Sequence, residues 1–301
     1  MEINDEERSY RATSRGRTIL PTNVMWYDSE PEWNSWAIPT FSMINIVMFI
    51  VTMYTNNCPF HGGGRRGCLM GFLGRFSFQH FHQNSLLGPS SQTLMKMGAV
   101  DGAAISHYHQ GWRLITSIWL HTGLIHLLVN LLSLLSIGIR LEQQFGFVRT
   151  TIIYILAGIG GNIISGLFVP SNVSVGASSA LLGLIGAMFS ELLTNWTLYA
   201  NKAAAVITLL ITLVISTVVA VVPYHGHFSH ASGGFLTGFL LGFVLLARPI
   251  GWPSSHHYWT GIFKSKYKPY QYALGVSSLV LLVIGYIVGL VMLFRAKAKN
   301  G

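Results

Sequence analysis

Seven apolar stretches follow one another along this chain and restrict it to folds that a lipid bilayer accepts. They cover roughly residues 37–54, 114–138, 150–169, 177–195, 203–222, 231–247 and 271–294. An α-helix needs about 20 apolar residues to cross the ~30 Å of hydrocarbon in a bilayer. Charged residues make up only 10% of the chain, against roughly 25% in soluble domains. The sequence therefore predicts an all-α polytopic membrane protein with seven membrane-spanning helices.

Polar segments divide the rest of the chain into three parts. Residues 1–36 form a polar arm, which we expect to lie in the cytosol. Residues 37–250 contain six of the apolar stretches and a long first loop, 55–113, rich in glycine, serine, phenylalanine and histidine. Residues 251–301 hold a basic connector and the seventh apolar stretch. We expect no cleavable signal peptide, so that the first apolar stretch acts as the targeting signal.

The distribution of lysine and arginine predicts the orientation of the helices. Basic residues occur in the arm, in the predicted turns 139–149 and 196–202 and in the connector 248–270, whereas the turns 170–176 and 223–229 contain none. Cytosolic loops carry the excess of Lys and Arg in membrane proteins. We therefore expect a multi-pass protein of the secretory pathway, at the Golgi or the plasma membrane, with a cytosolic N-terminus. Helix-flanking residues explain the net charge of +9, and we expect no nucleic-acid partner.

Strongly polar residues stand near the start of three apolar stretches. Ser178 and His230 open the fourth and sixth stretches, and the second carries His126-x-x-x-Asn130 about three to four turns from its start. With the predicted orientation, these three helices all enter the membrane from the outer or lumenal side. At ~1.5 Å per residue the serine and histidine fall near one depth, which the second-helix pair reaches if its helix tilts. Such polar groups are costly in a bilayer and mark functional sites.

A serine, a histidine and further hydrogen-bond donors are the components of acyl transfer. His230 can act as the general base that activates the weak nucleophile Ser178. His126, Asn130 and the backbone N–H of Ser178 can stabilise the oxyanion. No Asp or Glu stands near the outer ends of these helices, which favours a Ser–His dyad over a triad. A lone serine in a membrane helix more often serves helix packing, but the three elements together favour catalysis.

Six ordered motifs make the chain similar to the rhomboid family of intramembrane serine proteases, and to its plant members in particular. The motifs are LGRFSF from Leu73, WRLIT from Trp112, HTGLIHLLVNLLSL from His121, RLEQQFGFVR from Arg140, VGASSALLGLIGAMFSELLTNW from Val175 and HASGGFLTGFLLGF from His230. The resemblance implies a rhomboid-type six-helix core followed by a seventh helix. It implies Ser178 as nucleophile, His230 as base, and His126 and Asn130 as oxyanion donors. It also implies Trp112 and Arg113 in a membrane-embedded loop, and single-span membrane proteins as substrates.

Two positions depart from the family pattern and bear on activity. The family has glycine after the serine, where this chain has Ser179, whose extra CH₂OH we expect to reduce the rate. The family places Gly-x-x-x-Gly three residues after the histidine, whereas Gly234 stands four after His230. One extra residue turns a helix by about 100°, although Gly233-x-x-x-Thr237 keeps the usual offset. A catalytically impaired relative that binds transmembrane clients without cleaving them is therefore the alternative function.

The other residues give few signs of further chemistry. Cys58 and Cys68 share the long loop, which the charge count places outside the cytosol, so we expect a disulfide; the alternative is two free thiols. The twelve histidines lack the spacing of a zinc site, and we expect neither a metal nor another cofactor. Paired intramembrane acids typical of proton-coupled transporters are absent from the sequence, so a transporter ranks third. The predicted partners are single-span substrates and the lipid bilayer.

Overall fold

The computed structural model describes residues 33–58, 67–169, 173–196, 199, 201–221, 228–248 and 267–295. Most of these residues belong to seven long helices. They are α1 (Ala37–Asn56), α2 (Leu124–Phe145), α3 (Phe147–Phe168), α4 (Ala177–Thr194), α5 (Lys202–Val221), α6 (Phe228–Leu245) and α7 (Pro269–Arg295). Five of them are long and apolar enough to cross a membrane, and α5 and α6 are apolar as well. The chain is a multi-pass integral membrane protein with a six-helix core and a seventh helix, as predicted.

The second helix begins about ten residues later than its apolar stretch, 114–138, predicts. Between the long loop and α2 the chain forms only short helical turns, and it is extended at Leu120 and Gly123. A side chain at Gly123 would collide with the carbonyl oxygen of Leu86, because this segment packs against the backbone of the loop. His126 therefore lies in the first turn of α2, and the prediction of three to four turns above it was wrong.

The second helix also ends later than its hydropathy predicts. The predicted turn 139–149 is helical up to Phe145, and α3 begins at Phe147. Gly146 separates the two helices with a φ of 83°, a backbone conformation that favours glycine. The connection between α2 and α3 is therefore a single residue, and Arg140 lies on a helix rather than in a turn.

The fourth helix forms the centre of the bundle. It is buried along almost its whole length, and it packs mainly against α3 and α6. Its apolar side chains belong to the largest hydrophobic cluster among the described residues. In a bilayer, small residues at such contacts let helix backbones approach closely. Ser178, at the start of this helix, is therefore carried by the most buried element of the fold.

The long first loop is folded against the core. It contains the short helices Ser91–Met97 and Gly102–Tyr108. Between them and the core, Val100 and Ser174 exchange two backbone hydrogen bonds of 2.8 and 3.1 Å. The loop thereby contacts the chain directly before α4.

The beginning of the loop is attached to the end of α1. A disulfide joins Cys58 to Cys68, and the guanidinium group of Arg75 lies 4.3 Å from the ring centre of Tyr54. These contacts turn the loop back along α1. Formation of the disulfide in the cell remains a prediction, because it depends on the compartment.

Two carboxylates are buried at the membrane face opposite to Ser178. Glu142 accepts hydrogen bonds from three successive backbone N–H groups at the start of α1. Glu191 accepts from Asn195 and Tyr199 and lies 3.7 Å from the guanidinium group of Arg248. Both carboxylates therefore hold helix ends together and stand far from the serine.

The seventh helix lies on the outside of the six-helix core, against α3 and α6. Its Tyr286 hydroxyl donates a hydrogen bond to the Leu156 carbonyl of α3. Near its end, Leu293 fills the space beside Gly166. Most of its residues are exposed on the surface of the protein, so most of this helix faces lipid.

Candidate active site

Ser178 is the second residue of α4 and is only 4% exposed. The turn before it is held by backbone hydrogen bonds to two other segments. Ser174 pairs with Val100 of the loop, and the N–H of Gly176 donates to the carbonyl of Ser117 at 2.7 Å. Because this backbone is fixed on both sides, the hydroxyl and the N–H of Ser178 have defined positions.

Asn162 of α3 braces the same turn, although no motif singled it out. Its side chain is fully buried, and Nδ2 donates to the carbonyl of Leu114 and the hydroxyl of Ser117, both at 2.7 Å. A Cβ atom at Gly176 would lie 2.8–2.9 Å from the Asn162 amide, which explains the glycine there. A polar amide in an apolar stretch was the signal that sequence reasoning missed.

Ser179 lies in the contact between three helices. A Cβ atom at Gly161 of α3 or Gly234 of α6 would lie only 1.8 or 2.3 Å from its hydroxyl oxygen. The hydroxyl donates to the carbonyl of Ala157 at 3.1 Å. Two glycines thus make room for Ser179, and its hydroxyl serves helix packing on a different side of α4 from Ser178.

Glycines bring α4 and α6 into backbone contact. Three glycines of α6 would, with a Cβ atom, collide with carbonyl oxygens of α4 at 1.9–2.7 Å. The pairs are Gly234 with Ser179, Gly238 with Gly183, and Gly242 with Ala187. Each α6 residue stands 55 positions after its partner, so the two helices run parallel with a constant register.

This register gives the relative heights of Ser178 and His230. His230 is level with residue 175, three positions before Ser178, which corresponds to about 4.5 Å along the helix axis. Its side chain is 1% exposed. His126 and Asn130 lie in the first two turns of α2. The structure therefore brings these polar residues to the starts of three helices at one membrane face.

His230 lies in the line of contact between α4 and α6. The α6 glycines that touch α4 recur every four residues, at 234, 238 and 242, and the same interval leads back to His230. The His230 carbonyl oxygen lies 2.7 Å from the Cβ position of Gly161, so this turn of α6 also packs against α3. Ala231, one position further along the helix, lines a cavity together with Leu182, which stands one turn after Ser178.

Ser178 and His230 are not hydrogen-bonded to each other in this structure. Catalytic hydrogen bonds are often long before substrate binds, and His230 belongs to the first turn of its helix. A catalytic dyad of Ser178 and His230 therefore remains a prediction.

The second helix contributes two buried polar side chains. The Nδ1 atom of His126 is hydrogen-bonded to the hydroxyl of Thr122 at 2.9 Å. One turn further, the Nδ2 group of Asn130 is buried and donates to no residue that the structure describes. An unused buried donor costs free energy unless a ligand accepts its hydrogen bond. Asn130 is therefore suited to stabilise a negatively charged oxygen.

His121 lies directly before α2 and packs edge-on against His126, with ring centres 5.5 Å apart. Burial lowers the pKa of His121 to about 3, so its ring is neutral at physiological pH. The site therefore gains no positive charge from this neighbour. His121 was part of a recognised motif but was not predicted as a site residue.

Trp112 and Arg113 lie where the long loop joins the core. The Nη1 group of Arg113 donates to the carbonyls of Met95 and Ala99 at 2.7 and 2.9 Å, so Arg113 orders the loop. Its guanidinium group lies 4.9 Å from the centre of the Trp112 ring. Trp112 is 49% exposed and presents an aromatic surface beside the helix starts.

No group of three His, Cys, Asp or Glu side chains within the described ranges is arranged to hold a metal ion. The acyl-transfer chemistry of a serine and a histidine requires none. The expectation of an enzyme without metal or cofactor remains a prediction.

Comparison with known proteins agrees with the motifs. Residues 108–248 match the sequence model of the Rhomboid domain. RHOMBOID-like protein 2 of Arabidopsis thaliana is 56% identical over 273 residues, which are 90% of this chain and 86% of that protein. Inactive RHOMBOID-like protein 8 of the same plant is 43% identical over 216 residues, 72% of this chain and 61% of its own length. Rhomboid-like protease 3 of Toxoplasma gondii is 35% identical over 160 residues, 52% and 59% of the two chains.

Proposed function

Because this chain belongs to the rhomboid family of intramembrane serine proteases, we propose that it cleaves single-span membrane proteins in or beside their membrane span. The observation that carries this proposal is the position of Ser178 at the buried start of α4. The backbone before Ser178 is fixed, and the unused amide of Asn130 lies at the start of another helix on the same membrane face. A nucleophile and an oxyanion donor are thereby available at a depth that a transmembrane substrate reaches.

In the proposed reaction, the Ser178 hydroxyl oxygen attacks the carbonyl carbon of the scissile peptide bond. His230 takes the hydroxyl proton and later donates it to the departing amine. The Nδ2 group of Asn130, His126 and the N–H of Ser178 donate hydrogen bonds to the oxyanion of the tetrahedral intermediate. Water, activated by His230, then hydrolyses the acyl-enzyme. Buried surroundings strengthen each of these electrostatic interactions, because the local dielectric constant is low.

The proposal extends to the location of the site. The charge distribution favours a cytosolic N-terminus, and α2, α4 and α6 then all start at the outer or lumenal face. The active site therefore opens away from the cytosol, in the Golgi or the plasma membrane. The exposed Trp112 beside it suits a loop embedded in the membrane interface, where aromatic residues are enriched.

A second candidate function rests on the position of Ala231. The histidine stands one residue earlier than the family spacing requires, so that Ala231 occupies the position three residues before Gly234. Ala231 also lines a cavity together with Leu182, which stands one turn after Ser178. A chain with this arrangement and no productive dyad would bind transmembrane clients without cleaving them. The family contains a relative named as inactive, which supports this function as the alternative to proteolysis.

Moving the histidine by one position separates the two functions. We propose co-expression of a single-span model substrate with wild type, with His230→Ala, with Ala231→His, and with the double variant His230→Ala/Ala231→His. If His230 is the base, the wild-type protein cleaves the substrate and the His230→Ala variant does not. Cleavage that is absent from the wild type and appears in the double variant would show that a histidine acts as the base at position 231 and not at position 230.

Binding of the substrate provides the control for each variant. Co-purification of the model substrate should be unchanged in His230→Ala, because the variant removes a base and not the client surface. Absence of cleavage in all four chains, together with retained binding, would refute the protease proposal and support the client-binding function.

A further inference from the structure

A groove opens to the lipid between the end of α6 and the first turns of α7. Its volume is about 360 Å³, which is in the range of small-ligand sites. Phe243, Val276 and Leu279 form apolar walls, while Arg149 and Tyr272 stand at the end where α3 and α7 begin. The groove therefore has an apolar interior and polar groups at the membrane surface.

Arg149 supplies this groove with a cation whose charge the described residues do not neutralise. It lies in the first turn of α3 and is partly buried. It forms no hydrogen bond or ion pair with any residue in the described part of the chain. Gln271, another polar residue of the lining, is already bonded to the Arg248 carbonyl and the Lys268 N–H. Arg149 is thus the charged lining residue with unused donors.

The acidic residues of the surrounding helices are engaged elsewhere. Beyond residue 101 the sequence contains only Glu142 and Glu191 as acids. Glu142 accepts hydrogen bonds from the backbone at the start of α1, and Glu191 interacts with Tyr199 and Arg248. Among the residues that the structure describes around the groove, Arg149 therefore has no counter-ion.

We propose that this groove binds an anionic phospholipid, with the phosphate at Arg149 and one acyl chain along Val276 and Leu279. The guanidinium group suits phosphate oxygens because it donates two parallel hydrogen bonds. The apolar walls suit an acyl chain, and they provide no hydrogen bond to a free phosphate ion. The charge distribution predicts this face to be cytosolic, and the cytosolic leaflet is the one that carries anionic lipids.

Such a lipid would connect the seventh helix to the core. Among the described residues, the hydrogen bonds that join the start of α7 to the core include those of Gln271 with the Arg248 carbonyl and of the Tyr270 hydroxyl with the Thr194 carbonyl. A lipid between α6 and α7 adds apolar contact along several further turns. Since it binds only the assembled helices, it stabilises the folded state by mass action.

Lipid retention by the purified full-length protein tests this proposal. Native mass spectrometry would be recorded in detergent with phosphatidylglycerol, with phosphatidylcholine, or with inorganic phosphate alone. We expect wild type to retain one phosphatidylglycerol in preference to phosphatidylcholine, and to show no thermal stabilisation by phosphate. Arg149→Gln should weaken phosphatidylglycerol binding about tenfold, the usual effect of one charged hydrogen-bond partner.

Two further variants make the test specific. Gly275→Leu should weaken retention of both lipids, because its side chain fills the groove while its Cβ atom meets only the Phe243 carbonyl at 3.5 Å. Lys202→Gln, which removes one positive charge from the same membrane face, should leave retention unchanged. Retention by Arg149→Gln equal to wild type, or an equal loss in Lys202→Gln, would overturn the proposal. Equal stabilisation by inorganic phosphate would show a simple anion site instead.

Discussion

Glu142 should be one of the most sensitive positions for stability, although it lies far from the proposed chemistry. Its Oε1 atom accepts from the N–H groups of Trp36 and Ala37, both at 2.7 Å, and Oε2 accepts from Ile38 at 2.9 Å. The first N–H groups of a helix have no partner within the helix, and no side chain of α1 caps them. Glu142, fully buried on α2, supplies these partners from another helix.

The expected loss follows from these three bonds. A hydrogen bond to a charged group contributes about 1.5–3 kcal/mol, and contributions from one carboxylate are not additive. Glu142→Ala leaves three helix-terminal donors without a partner, so we expect a loss of about 3–5 kcal/mol in the free energy of unfolding. Glu142→Gln keeps one acceptor oxygen, and we expect about half of that loss. Arg140→Gln, on the exposed surface of the same helix, should change stability by no more than ~0.5 kcal/mol.

Unfolding by SDS in mixed micelles, followed by tryptophan fluorescence, measures these differences. Glu142 and His126 are 16 residues apart on α2, which corresponds to about 24 Å. Cleavage per folded molecule should therefore be unaffected in Glu142→Gln. The reasoning would be refuted if Glu142→Ala were no less stable than Arg140→Gln.

The remaining predictions concern the site and the loop. Asn162→Ala should slow the reaction of Ser178 with a fluorophosphonate probe and cost about 1–3 kcal/mol, whereas Ser165→Ala on the same helix should leave the probe reaction at the wild-type rate. Ser179→Gly should lower stability by about 1–2 kcal/mol, through the lost bond to Ala157 and the added glycine, and an increase in cleavage would show that Ser179 obstructs the site. Thiol labelling of intact oxidised membranes should modify Cys58 and Cys68 only after reduction, and labelling of both from the cytosolic side would reverse the assigned orientation.

Hydropathy predicted most of the helices because a bilayer imposes length and composition on each of them. The stretch 177–195 corresponds to Ala177–Thr194, and 37–54 corresponds to Ala37–Asn56. Hydropathy also predicted one continuous helix over 114–138, and this prediction failed because the backbone is extended at Leu120 and Gly123. Their environment is the loop backbone at Leu86, a tertiary contact that has no hydropathy signal.

The residues of the candidate site were likewise predicted only in part. The family resemblance, now confirmed, pointed to Ser178 and to the polar residues at the start of α2. The role of Asn162 depends on contacts with Leu114 and Ser117, which are 48 and 45 residues away in the chain. The height of His230 relative to Ser178 depends on how glycines set the register between α4 and α6. Neither property can be read from a single segment.

Cleavage by purified components tests the central claim most directly. Wild type and Ser178→Ala would be reconstituted separately into liposomes with a single-span substrate, and the products would be identified by mass spectrometry. The proposed mechanism predicts fragments that end within or beside the membrane span in the wild-type sample and none with Ser178→Ala. Equal cleavage by both proteins, or intact substrate in both, would contradict the assignment of Ser178 as the nucleophile of an active protease.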